Sequence, residues 1–92
     1  MTSLGLLEVK GLAMAVVACD TMLKSSNVKL LNHENTKGGG WITVKILGDV
    51  AAVQAALNAG EAVARQHNAL VSKSVIARPN EEVHALVQLN KA

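Results

Sequence analysis

The chain has no tyrosine, no phenylalanine and a single tryptophan, Trp41. A protein that holds nucleic acid by base stacking needs several aromatic platforms, so that class is set aside. The formal net charge of +2 is also too small and too dispersed to make nucleic acid the default partner. One cysteine, Cys19, excludes an internal disulfide framework and suits a reducing cytosol. No stretch approaches the ~18 consecutive apolar residues of a spanning helix, so no membrane partner is expected. The start, MTSLGLLEVK, lacks the basic segment and the long apolar run of a signal peptide.

What is present is small and apolar. Half of the 92 residues are hydrophobic and 17% are charged, which places the chain outside the disordered class. The length suits one domain spanning residues 1–92. A domain of this size buries only roughly 60–65% of its unfolded surface. Apolar surface left over on so short a chain points to a subunit interface, so an oligomer is expected before any motif is considered.

Two similar units follow one another. The first is LLEVKGLAMAVVACDTMLKSSNVKLLNHE and the second is WITVKILGDVAAVQAALNAGEAVARQHNALVSKSVIARP. Each reads as a strand ending near Val-Lys, a helix of small residues, a polar turn and a second strand. In the second helix Val53, Ala56, Leu57, Gly60, Val63 and Ala64 keep helical spacing and form one apolar stripe. Asp49 is the expected N-cap, its carboxylate accepting an orphan backbone N–H. Gly60 inside the stripe costs up to ~1 kcal/mol relative to alanine, which implies close approach to a sheet or a neighbouring subunit. In the first helix, roughly Leu12 to Lys24, the residues Leu12, Ala13, Val16, Val17, Ala18 and Leu23 spread over more than half the circumference. Such a helix is covered on more than one side. Trp41 to Leu47 alternates, with Ile42, Val44 and Ile46 on one face. Val28 to Glu34 and Leu70 to Ala77 complete the strands, and Pro79 ends the last one. EEVHALVQL is expected to form a short C-terminal helix. The order βαββαβ predicts a ferredoxin-like α+β domain: a four-stranded antiparallel sheet with both helices on one face.

The halves are joined by NTKGGGW. Consecutive glycines suit a flexible hairpin connection, because glycine adopts positive φ without strain. Their N–H groups can also converge on an oxygen or an anion. The spacing and the following strand do not fit a phosphate-binding P-loop.

Three stretches carry a resemblance. LGLLEVKGLAMAVVACDTMLKSSNV, GGGWITVKILGDVAAVQAALNAG and SVIARP occur in order, and together they resemble the bacterial microcompartment shell proteins of the single-domain, hexamer-forming type. The resemblance covers roughly residues 3 to 85. It implies a structural protein, not an enzyme, with no cofactor. It implies homohexameric discs that tile with other shell proteins around encapsulated enzymes in the bacterial cytoplasm. It further implies that Gly38, Gly39 and Gly40 line a central pore for small metabolites, with Lys37 at its mouth. Lys37 departs from the family pattern, in which the lysine lies one place earlier and an aliphatic residue precedes the glycines. Two readings of Lys37 stand: an exposed surface lysine, or a ring of ammonium groups favouring anionic or polar metabolites. Lys24 and Arg78 match positions at the hexamer edge.

The other polar residues point to no chemistry. Asp20 lies on a largely apolar helix and needs a partner. Glu8 and Lys10 alternate out of the first strand and are available to a neighbour. Trp41 is either an interface anchor or a covered strand residue. Cys19 reads as a small hydrophobe. His33, His67 and His84 share no ligand spacing, so no metal site is expected. No catalytic constellation is present. A second class of function remains open: a ferredoxin-like regulatory domain that binds a small molecule at subunit interfaces.

Overall fold

The computed structural model describes residues 2–36 and 39–76. The elements run β1 (Thr2–Lys10), α1 (Leu12–Ser25), β2 (Lys29–Thr36), β3 (Trp41–Asp49), α2 (Val50–Gln66) and β4 (Leu70–Ile76). The strands form one antiparallel sheet in the order β2-β3-β1-β4. Each helix therefore crosses over one intervening strand, the split βαβ arrangement expected from the element order. The expected C-terminal helix, Pro79 and Arg78 lie outside the described residues.

Cross-strand register fixes which side chains share a face. Leu7 stands opposite Val44 and Val9 opposite Ile42. These side chains, with Ile46, are at most 4% exposed and meet Met14, Ala15, Ala18 and Met22 of α1 and Val53, Ala56, Leu57 and Ala64 of α2. Both helices thus lie on one face of the sheet over a single core. Burying each of the larger aliphatic side chains contributes about 1.5–3 kcal/mol. Gly60 sits where α2 packs tightly against its neighbours. A Cβ built there lies 2.8 Å from Met22 Cγ and 2.9 Å from Leu7 Cδ2. The close approach is to α1 and β1 of the same chain. Asp49 holds the N-cap position of α2, but its side chain makes no cap hydrogen bond.

The first helix differs from expectation. Of the apolar residues that spread around it, only Ala18 is buried, and the covered stripe is Met14, Ala15, Ala18 and Met22. Leu12, Val16, Val17 and Leu23 remain 57%, 60%, 45% and 40% exposed. At 3.6 residues per turn, Leu12, Val16, Cys19 and Leu23 form a second stripe beside the buried one. Among the described residues, only one side of an α1 that is apolar on two is covered.

Candidate functional site

Three connections meet at one end of the slab. Gly39 and Gly40 make an exposed turn between β2 and β3. Gly40 has φ of +80° and Gly11, between β1 and α1, has φ of +90°, a region that residues with a Cβ enter only with strain. The two are joined, since the Gly11 N–H donates to the Gly40 carbonyl at 2.7 Å. Beside them the Lys10 N–H donates to the carbonyl of Ala69 in the α2–β4 connection at 2.8 Å. The glycine turn is therefore tied to the rigid β1–α1 corner. Lys37 and Gly38 lie outside the described residues. Trp41, the first residue of β3, is half-buried and stands in register with Lys10 and Thr36.

Lys24 lies at the opposite end, in the last turn of the 14-residue α1. At 1.5 Å per residue, about 20 Å of helix separates it from Gly11. Its ammonium pairs with Asp20 at 3.1 Å, the side chains being 76% and 62% exposed. Asp20 thus finds its partner one turn along an outward face. The i,i+4 spacing was in the sequence, but it did not show which side of α1 faces solvent. Nearby, Ser26 Oγ donates to the Ala52 carbonyl at 2.7 Å and ties the end of α1 to α2.

Between these ends runs an apolar groove of about 310 Å³. Leu12, Val16, Cys19 and Leu23 of α1 form one wall, and Leu30 and His33 of β2 form the other. A β-bulge between Leu30 and Asn32 keeps both Leu30 and His33 on the helix side of the sheet. Sequence reading missed this groove, because a one-residue bulge resets the alternation that assigns faces. Burial, and secondarily the charge of Asp20, pushes the Cys19 thiol above its ordinary pKa, which suits a packing role rather than a nucleophile.

Polar side chains elsewhere hold elements together. Glu61 on α2 accepts Lys73 Nζ at 2.8 Å and Arg65 Nη2 at 3.1 Å, and Lys73 also reaches Asn58 Oδ1 at 3.1 Å. Those hydrogen bonds, Lys73 first, draw the Glu61 carboxyl below its usual range. On the sheet face away from the helices, Ser72 Oγ donates to Glu8 Oε1 at 3.3 Å and Lys45 pairs with Glu34. Among the described residues no group of three His, Cys, Asp or Glu side chains could hold a metal ion. None of the described helices is long and apolar enough to cross a membrane.

A split βαβ domain with a glycine turn at one end and an exposed apolar helix flank is a narrow description, and comparison with known proteins agrees with it. The BMC domain family model matches residues 3–79. The chain belongs to the BMC domain family of bacterial microcompartment shell proteins. It is 54% identical over 81 residues to the shell protein PduK of Salmonella typhimurium, a match covering 88% of this chain and 51% of that protein. It is 44% identical to the shell protein PduA of the same organism, covering 92% and 89%. The carboxysome shell protein CsoS1B of Hydrogenovibrio crunogenus is 40% identical, covering 97% and 92%. A crystal structure of a microcompartment protein from Desulfitobacterium hafniense superposes with a TM-score of 0.76 at 36% identity, covering 86% of this chain and 43% of that one. The chain spans about half the length of PduK and of EutK, two of the shell proteins it matches. These relatives are named as shell proteins, not enzymes.

Proposed function

We propose that this BMC domain is a structural shell subunit. Six copies close into a ring with their glycine turns toward the six-fold axis. The rings tile through Lys24 and Arg78 into the shell layer of a cytoplasmic microcompartment, alongside other shell proteins and around encapsulated enzymes. The observation that carries this reading is the division of the slab. The glycine turn lies at one end, Lys24 lies about 20 Å away at the other, and the flank between them is apolar and exposed. A ring needs an inward end, an outward end and a flank that docks head to tail on a different face of the next copy. Bare glycines at the axis leave an opening where side chains would fill it. Small polar or anionic metabolites pass there, and the ammonium of Lys37 at the mouth favours the anions.

Electron microscopy of the purified protein tests the assembly. Six-fold rings and extended sheets are expected, and a persistent monomer at high concentration and low salt refutes the reading. Lys37→Glu should leave the rings intact and reverse the preference for anions; unchanged charge selectivity would remove Lys37 from the pore.

A further inference from the structure

We propose that Lys10 is a second specificity-determining residue of the pore, an inference that rests on the ring arrangement above. The Gly11 N–H holds the Gly40 carbonyl at 2.7 Å. One peptide C–N bond of ~1.33 Å lies between that N–H and the carbonyl carbon of Lys10. The backbone of Lys10 is therefore within about 4 Å of the glycine turn. It is fixed there from two sides, since its own N–H is held by Ala69 and it stands in register with Trp41. This anchoring belongs to the sheet, not to the loop, so the point from which the Lys10 side chain departs keeps its place whatever the glycines do.

Charge at this end of the slab singles Lys10 out. Arg65 is engaged by Glu61, and Lys45 and Lys73 are paired on other parts of the surface. Lys10 is exposed and forms no ion pair among the described residues. Glu8, two residues back on β1, accepts a hydrogen bond from Ser72. An ammonium on a flexible stem, repeated around a six-fold axis, adds a ring of positive potential beside the glycine turn. The ligand class is a small carboxylate or phosphate. The flexible, strongly hydrated ammonium makes this contribution an electrostatic bias on entry rather than a tight binding site.

Lactate and glycerol, similar in size and different in charge, report this bias when their influx into assembled shells is followed by stopped flow. Lys10→Gln should lower the lactate-to-glycerol ratio on the order of three- to tenfold at low salt. Lys10→Arg should restore it, and the difference should fade toward 1 M salt, where the screening length falls to ~3 Å. An unchanged ratio in Lys10→Gln, while Lys37→Gln lowers it, overturns the role of Lys10 and leaves the pore reading standing. Loss of rings in Lys10→Gln assigns the residue to assembly and overturns the proposal as well. If wild-type protein forms no rings, or neither substitution alters the ratio, the pore reading fails and this proposal fails with it.

Discussion

Replacing Gly60 by alanine sets two opposed effects against each other. Alanine is favoured over glycine in a helix interior by up to ~1 kcal/mol. Against this, the new methyl group would stand 2.8 Å from Met22 Cγ, 2.9 Å from Met22 Sδ and 2.9 Å from Leu7 Cδ2. Both neighbours are 0% exposed, so neither can swing into solvent. Overpacking of this kind costs about 1–3 kcal/mol, moderated where a thioether chain can bend. Gly60→Ala should therefore destabilise the fold by about 1 kcal/mol net, and Gly60→Val, with two more methyl groups, by about 3 kcal/mol or more. For a domain of this length, 1 kcal/mol shifts Tm by about 4–8 °C. Urea titrations read the same change directly, at fixed protein concentration because association raises apparent stability. Met22→Ala alone should cost about 2–5 kcal/mol. Combined with Gly60→Ala it should cost less than the sum, since the added methyl fills part of the vacated space. Gly39→Ala, whose Cβ meets nothing within 4 Å, is the control and should stay within about 0.5 kcal/mol. A Gly60→Ala protein that is more stable by the full propensity gain would refute the close-approach argument.

Val16→Glu places a charge on the exposed stripe of α1 and should abolish assembly while leaving a folded monomer, read by analytical ultracentrifugation and circular dichroism. Lys24→Asp should leave rings intact but block sheets in micrographs. Its loss of the exposed Asp20 pair should change stability by no more than about 0.5 kcal/mol. The folded-state pKa of Glu61 is lowered, so its bonds to Lys73 and Arg65 stabilise the fold above the carboxyl's ordinary value of 4.5, and that contribution is lost as pH falls through the lowered folded value. Glu61→Gln should thus have a lower urea midpoint than wild type at pH 7, and the two midpoints should converge in acid. A gap that persists below pH 3 would show that the effect is not ionic.

Periodicity, together with the repeat of the strand–helix–strand unit, was enough to predict the four strands, both long helices and the antiparallel split βαβ order. Alternation along Trp41–Leu47 and the stripe from Val53 to Ala64 are one-dimensional records of which side is buried. The glycine run was legible too, because no other residue type leaves so little side chain at a turn. Lys24 and Asp20 were both visible, but their spacing does not show which flank of α1 is covered. Tertiary structure decided that. The core selected Met14, Ala15, Ala18 and Met22, and it left Leu12, Val16 and Leu23 outside, although these are equally apolar. Hydrophobicity is a property of a residue, whereas burial depends on which neighbouring element arrives, and that is set by sheet order and crossover. The same holds for the hydrogen bond between Gly11 and Gly40. Neither its existence nor the placing of Lys10 beside the glycine turn is written in local pattern, because residues 29 positions apart meet only when β1 and β3 pair.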